Sequence, residues 1–263
     1  MSHTGYASLI NTIIIKIILH TYLLRLLADR YEKKEFLDGD PSWFMHQVED
    51  ASDKELLAFI ASALSYGSRK QFMPKIQFIL DSTKGKVTEW LVNGDYNSTI
   101  PPSSYCYYRL YTCAMMNDFL KALAQMVEEY GSMRQFAEHI GSDNALDVIK
   151  AITMWFASHG SHGVIPKDAK SSCKRICMFL RWMVREDSPV DIGLWSDIID
   201  RKTLIMPLDT HVLQQAIRLK MIQSKSASMK TAQKLTDQMR EIWQDDPLKG
   251  DFALFGYGVN QGV

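Results

Sequence analysis

Apolar residues recur at intervals of three and four along most of this chain, which is the spacing of one face of an α-helix. In residues 55–67, for example, Leu56, Ile60 and Leu64 share one face, and Gly67 ends the pattern. Glycine and proline separate such segments, and no polar–apolar alternation of useful length indicates a strand. The sequence therefore predicts an all-α protein of about a dozen helices joined by short loops.

The charged residues are segregated along the chain. The 263 residues include 46% hydrophobic and 23% charged residues, enough for one large or two small domains, and the formal net charge is +0. Any nucleic-acid surface must therefore be a local patch. Residues 38–55 are mainly acidic, whereas residues 167–185 contain six basic residues against Asp168 alone. Phosphate contact is one use for such a basic segment, and a solvated helix face is the other. The six are Lys167, Lys170, Lys174, Arg175, Arg181 and Arg185.

The N-terminal segment, residues 9–27, is strongly apolar, but Asn11, Lys16, His20 and Arg25 interrupt it. Charges at the centre of a membrane span are costly, and no small-residue cleavage site follows an uninterrupted apolar core. We therefore expect a buried amphipathic helix, with a membrane anchor or secretory signal as the alternative.

Four cysteines lie among apolar residues at spacings of seven and four, which repeat on a helix face. We interpret them as reduced thiols of a cytoplasmic protein, with a metal cluster as the alternative. The four are Cys106, Cys113, Cys173 and Cys177.

Four tyrosines surround Arg109 at positions 105, 107, 108 and 111. One interpretation is packing between helices, with the hydroxyl groups at the surface. The other is stacking on unpaired bases, because aromatic rings beside an arginine suit that role.

A lysine and an aspartate begin two of the amphipathic segments. Lys174 opens one, and Asp209 follows Pro207 at the start of another. Each has an ordinary explanation, since Asp209 could be only a helix N-cap and Lys174 only a solvated lysine. If the two residues lie close together, however, the aspartate, whose ionised form a helix N-terminus stabilises, can accept a proton from the lysine. The free amine that results is a nucleophile.

The segments around these two residues resemble the helix-hairpin-helix DNA glycosylase superfamily, to which endonuclease III belongs. Residues 207–212, PLDTHV, look like its aspartate signature, and residues 171–180, SSCKRICMFL, look like its hairpin and the helix that follows. Residues 55–71 resemble its early helix and DNA-facing elbow, and residues 251–259, DFALFGYGV, its closing helix. The longer pattern, over roughly residues 30–260, most resembles an uncharacterised bacterial family within the superfamily.

The chain departs from the superfamily pattern in three ways. Lys170-Ser171-Ser172 stands where the hairpin usually has a glycine-x-glycine that binds a phosphate through its backbone amides. The four-cysteine iron–sulfur motif of endonuclease III is absent, so we expect neither a cofactor nor a metal. The interval from lysine to aspartate is longer than in endonuclease III and closer to the archaeal 8-oxoguanine glycosylases.

The resemblance implies a two-lobed fold with a cleft between the lobes. Residues 53–165 would form a six-helix lobe, and residues 166–263 would form the lobe with the hairpin and the aspartate. Residues 1–52 would be a helical segment that packs with the second lobe. Double-stranded DNA with a damaged base, including an oxidised base, would lie in the cleft, and the protein would act in the cytoplasm at the nucleoid.

On this resemblance Lys174 is the Schiff-base lysine and Asp209 the catalytic aspartate of a base-excision glycosylase with lyase activity at abasic sites. A catalytically silent DNA- or lesion-binding protein and a helical protein-interaction module are the alternatives. The candidates for the base pocket are Trp155, His159, His162 and His211. Core packing or local capping would also explain these side chains. A metal site at His159 and His162 would need a third ligand, and none is evident. The expected DNA contacts are Lys170, Ser171, Ser172 and Arg175 at the hairpin and Ser68, Arg69 and Lys70 at the elbow.

Overall fold

The computed structural model describes residues 18–260, and this part of the chain is predominantly helical, as the sequence predicts. Helix α1 covers described residues 18–31. Short 3-10 helices lie at Lys34–Leu37, Pro41–His46 and Arg201–Thr203. The other helices are α2 Ala51–Leu64, α3 Arg69–Thr83, α4 Val87–Val92, α5 Tyr96–Thr99, α6 Cys113–Tyr130, α7 Met133–Ile140, α8 Ala145–Ser158, α9 Lys174–Val184, α10 Thr210–Arg218, α11 Met229–Ile242 and α12 Lys249–Asn260.

One small β-hairpin interrupts the helical pattern. Strand β1, Cys106–Tyr108, pairs antiparallel with β2, Tyr111–Thr112. Its strands are too short to produce a visible alternation, which is why the sequence did not reveal them. Three of the four tyrosines are buried, and only Tyr105 is exposed. The packing interpretation therefore holds for these three rings, but their hydroxyl groups hydrogen-bond to other parts of the protein rather than lie free at the surface.

Helix α2 lies at the centre of the fold. Its residues 56–64 are all buried, which places other elements around the whole helix. The ring of Phe59 packs on Phe119 of α6, Phe156 of α8 and Phe179 of α9, with ring centroids 5.0–5.9 Å apart. The core is therefore continuous across residue 165, and the division into lobes at residues 52 and 165 stays a prediction.

The Glu55 side chain does not form the helix-capping contact that its spacing from Ser52 predicts. Ser52 and Glu55 have the spacing of a capping box, but Asp50 is the N-cap of α2 and accepts from the Ser52 amide at 2.8 Å. The buried Glu55 carboxylate instead accepts from the Met133 amide and from the Trp195 indole N–H, each at 2.7 Å. Burial raises the pKa of Glu55 from 4.5 to about 7.

We expect Glu55 to make the protein less stable as the pH rises from 4.5 to about 7. Within this window the folded chain binds a proton that the unfolded chain does not, so the free energy of unfolding falls with increasing pH, by about 3 kcal/mol at most. Urea unfolding at several pH values measures this slope. Glu55→Gln should flatten it, although the amide can accept only one of the two hydrogen bonds, and the exposed control Glu128→Gln should not. Equal slopes for Glu55→Gln and wild type would contradict the assignment.

Two arginines of the basic segment are buried rather than available to phosphates. Arg185 pairs with Asp246 at 2.8 Å and Glu32 at 2.6 Å, and it also binds Asp191. Arg181 binds Asp191 at 3.2 Å and pairs with an acidic residue of α12. Buried charges require such partners, so the local charge that the sequence indicates for residues 167–185 overstates the surface charge.

The described part of the N-terminal segment is buried on one side only. Leu24, Leu27 and Ala28 of α1 are buried, and the Tyr31 ring packs against α12, where a Cβ on Gly256 would lie only 2.4 Å from it. Residues 9–17 lie outside the described residues. No helix within residues 18–260 is long and apolar enough to cross a membrane. The described residues therefore form a helix that is buried on one side, and five large apolar side chains on its other side are 43–64% exposed: Ile18, Leu19, Tyr22, Leu23 and Leu26.

Candidate active site

Lys174 and Asp209 lie at the starts of two neighbouring helices and face each other. Lys174 is the first residue of α9, after Cys173 in the left-handed conformation (φ 45°). Asp209 is the N-cap of α10, and its Oδ1 accepts the Val212 amide at 2.8 Å. Its Oδ2 lies 3.9 Å from Lys174 Nζ. The two oxygens therefore serve the helix cap and the lysine separately, so the cap does not compete with the pair.

The pair is partly shielded from solvent, with 29% of the Lys174 side chain and 13% of the Asp209 side chain exposed. A separation of 3.9 Å is an ion pair without a direct hydrogen bond. Catalytic groups are often this far apart without a substrate and move closer when it binds. The geometry therefore permits proton transfer after a small movement of the lysine.

Both residues line a cavity of about 310 Å³ and a more open groove of about 870 Å³. The cavity volume is at the lower end of the range for small-molecule sites, about 300–1,000 Å³. The groove also contains three basic residues, Arg175, Arg218 and Lys225. A small, partly open space thus adjoins, at Lys174, a broader and positively charged one. The two spaces also share Ser65, Gly67 and His211.

Arg69 lies in the cavity and is held there by two contacts. Its guanidinium pairs with Asp40 at 2.9 Å and lies 5.4 Å from the centroid of the Phe255 ring. Asp40 is itself fixed, because it accepts from the amide and hydroxyl of Ser42 at 3.0 and 2.7 Å. A guanidinium has five N–H donors, and Asp40 takes one of them among the described contacts. Arg69 can therefore donate to a ligand in the cavity.

A second buried carboxylate, Asp251 at the start of α12, also lines the cavity. Burial, assisted by the nearby Asp209 carboxylate, raises the pKa of Asp251 to about 6 against the opposing effect of its ion-pair partner Arg181. Sequence reasoning missed Asp40, Asp251 and Phe255. The one available signal was that Asp251 and Phe255 belong to the DFALFGYGV segment.

His211 is the only one of the four base-pocket candidates to line the cavity and the groove. Its ring lies edge-on to Phe255 with centroids 6.2 Å apart. Within the described part of the chain, its buried Nδ1 has no hydrogen-bond partner. Such a group is available to a ligand or to water.

The other three base-pocket candidates lie elsewhere, so the expectation for them is corrected. Trp155 is buried, donates from Nε1 to the Ala122 carbonyl at 2.9 Å, and stacks on His159 with ring centroids 3.7 Å apart. Both rings belong to the packing of α8, which is the core alternative. His162 is exposed, and none of the three lines the cavity or the groove.

The segment in place of the hairpin glycines is paired with the start of α11. The Ser172 amide donates to the Ala227 carbonyl at 3.2 Å, and the backbone carbonyl of Lys170 accepts from the Met229 amide. Ser171 and Ser228 form an isolated antiparallel β-bridge. Ser172 is also buried and therefore cannot meet DNA as expected, because its amide and side chain are enclosed. The Lys170 side chain is 91% exposed and Ser171 is exposed, so both remain accessible.

The remaining expected DNA contacts divide in the same way. Arg175 is committed to the protein, since it donates to the Ala63 carbonyl at 2.6 Å and to the Tyr111 hydroxyl. Ser68 and Lys70 are exposed at the start of α3.

Within residues 18–260, no group of three or more His, Cys, Asp or Glu residues could hold a metal ion.

A family model described as a protein of unknown function, DUF2400, matches residues 40–260. The match includes Asp40, Arg69, Lys174, Asp209 and Asp251, so the cavity residues fall within the family's own boundaries. No curated protein and no solved structure matches the chain.

Proposed function

The chain belongs to the DUF2400 family, and we propose that it is a DNA base-excision glycosylase with lyase activity at abasic sites. The observation that carries the proposal is the Lys174–Asp209 pair, 3.9 Å apart where a small cavity opens into a basic groove. The likeness of the surrounding segments to helix-hairpin-helix glycosylases, with a cleft between two lobes, supports the same assignment.

The proposed substrate is double-stranded DNA that contains a damaged base. The glycosidic bond of a stacked base is inaccessible, so an enzyme that attacks it must turn the nucleotide out of the helix. The cavity, with the Phe255 ring and the donors of Arg69, would receive the base. The groove would receive the sugar and the neighbouring phosphates, attracted by Lys225 and Arg218.

The proposed reaction uses Lys174 as the nucleophile and Asp209 as the group that accepts and returns a proton. Asp209 Oδ2 accepts a proton from Lys174, whose free amine then attacks C1′ of the sugar. The C1′–N bond breaks, and its electron pair leaves with the base. The base takes a proton from the new ammonium at Nζ, and Asp209 gives its proton to O4′ as the C1′–O4′ bond breaks, which leaves a protonated Schiff base between Nζ and C1′. Loss of a C2′ proton to solvent then expels the 3′-phosphate and nicks the strand.

A second candidate is DNA or lesion binding without chemistry. It is favoured by the Ser172 amide, which is bonded to Ala227 rather than free to bind a phosphate. The two candidates differ in their products. Incubation with duplexes that carry one abasic site or one damaged base yields nicked strands or free base from a glycosylase-lyase. A silent protein would bind these duplexes, with an affinity that falls steeply with salt, and release nothing.

Asp209→Asn separates the chemical role of Asp209 from its capping role. Asparagine caps a helix about as well as aspartate, so we expect the melting temperature to stay close to wild type. The nicking rate should fall by roughly 10²–10⁴-fold, since the proton acceptor is lost. The matched control is Asp50→Asn at the N-cap of α2, which should retain full activity. Retention of activity by Asp209→Asn, or its loss by the control, would contradict the assignment.

A further inference from the structure

The cavity beside Lys174 meets a second groove at its far end. This second groove, of about 560 Å³, lies between the end of α1, the 3-10 helix Lys34–Leu37 and the last turns of α12. Among described residues 18–260, it shares no lining residue with the basic groove. Four residues line both the cavity and the second groove: Phe36, Arg69, Phe255 and Val259. The cavity therefore lies between two grooves, with Lys174 at one end and this junction at the other.

Solvent reaches the junction between the cavity and the second groove. The Arg69 side chain is 38% exposed although it lines the cavity, and Val259 on the last turn of α12 is 40% exposed. The rings of Phe36 and Phe255 form an apolar wall, with centroids 6.0 Å apart. Phe36 is held there by an edge-on contact with the buried Phe252 ring at 5.0 Å. The far end of the cavity is therefore bounded by fixed rings and open to water.

The second groove does not suit a phosphate backbone. Glu35 and Asp38, both exposed, line it and offset the charge of its basic side chains. The basic groove instead carries Arg218 and Lys225, and Asp209 is the only acidic residue that lines it within the described part of the chain. DNA that follows these charges would cover the basic groove and leave the second groove uncovered.

We propose that the second groove is the exit through which the free base leaves the cavity while DNA still occupies the basic groove. The inference rests on the proposed function and adds to it the route of the small product. Once the C1′–N bond has broken, the sugar bonded to Lys174 fills the end of the cavity by which the base entered. Product release limits the turnover of many enzymes, and a separate opening lets the base leave before the DNA dissociates.

Hydride reagents of two sizes test whether a base-sized molecule can use this opening. Protein in excess is incubated with a duplex that carries one abasic site, and the Schiff base at Lys174 is captured with borohydride or with pyridine–borane, whose ring is about the size of a pyrimidine base. Either reagent transfers a hydride from boron to C1′, which converts the Schiff base to a stable secondary amine. The ratio of captured adduct to uncaptured nicked strand measures access of the reagent, because weaker DNA binding or slower attack by Lys174 lowers both products together.

Val259→Trp places a larger side chain at the junction. We expect the ratio with pyridine–borane to fall by roughly tenfold or more, and the ratio with borohydride to fall less, because the smaller ion passes a narrower opening. Val259→Ala, which removes bulk, should keep or raise both ratios. The matched control is Val92→Trp, the same substitution at a valine that is 46% exposed on α4 and lines neither the cavity nor either groove, and it should change neither ratio.

Each outcome decides the question. An unchanged pyridine–borane ratio in Val259→Trp would overturn the exit. An equal loss in Val259→Ala or Val92→Trp would also overturn it, and so would a wild-type protein that borohydride captures and pyridine–borane does not. If neither reagent captures the wild-type protein, the proposed function fails and the exit fails with it. Capture of wild type by both reagents, with a loss of pyridine–borane capture confined to Val259→Trp, supports both proposals.

Discussion

Lys174→Gln is expected to abolish the covalent adduct that borohydride captures between the protein and an abasic-site duplex. The amide of glutamine has no nucleophilic nitrogen and cannot form a Schiff base, and its side chain stays polar and is only one atom shorter than that of lysine. Folding should be little affected, since a partly exposed ion pair contributes only about 0–1 kcal/mol to stability. The adduct is measured as a slower-migrating band on a denaturing gel.

The matched control is Lys170→Gln. Lys170 lies four positions earlier and is far more exposed than Lys174. Its replacement should weaken binding slightly at low salt, because one phosphate contact is lost, and should leave the adduct yield at saturating protein unchanged. If Lys174→Gln still forms the adduct, or if both variants lose it equally, Lys174 is not the nucleophile.

Arg185→Met is expected to lower the free energy of unfolding by about 3–5 kcal/mol, because it removes one partner from a buried ion-pair network. Only 1% of the Arg185 side chain is exposed, and it neutralises Asp191, Asp246 and Glu32 together. Without it, these carboxylates stay buried with one remaining cation, Arg181, which binds only Asp191 of the three. Urea unfolding at neutral pH measures the loss.

An exposed pair provides the control for that experiment. Lys86 and Glu89 are 3.1 Å apart, but their side chains are 71% and 60% exposed. Lys86→Met should therefore change stability by no more than about 1 kcal/mol. A loss in Arg185→Met that is no larger than this would mean that the buried carboxylates take up protons or water at little cost, and Arg185 would then not be needed to neutralise them.

The helices could be predicted from the sequence because each buries an apolar stripe whose spacing is visible in one dimension. The two residues of the candidate pair could also be found, since each begins such a stripe. Hairpin β1–β2 could not be found, because two short strands joined by Arg109 and Leu110 leave no periodic signal. It is held by tyrosine hydroxyls that bond to distant carbonyls, and sequence order does not reveal such partners.

Charge was the least predictable property, for a related reason. A count along residues 167–185 treats Arg181 and Arg185 like Lys170, although the first two are buried against α12 and neighbouring loops and the third is almost fully exposed. Partner choice in three dimensions decides which charges reach a ligand. The same applies to Arg69, which was expected at a DNA-facing elbow and lies inside the cavity against Asp40.

In the proposed reaction Lys174 Nζ becomes bonded to a deoxyribose carbon, and every later step depends on that bond. The most direct measurement is mass spectrometry of peptides from the borohydride-reduced complex of the wild-type protein with an abasic-site duplex. We expect the sugar remnant to be attached to a peptide containing Lys174 and fragmentation to place it on that side chain. A remnant on another lysine, or no modified peptide at all, would contradict the proposed mechanism.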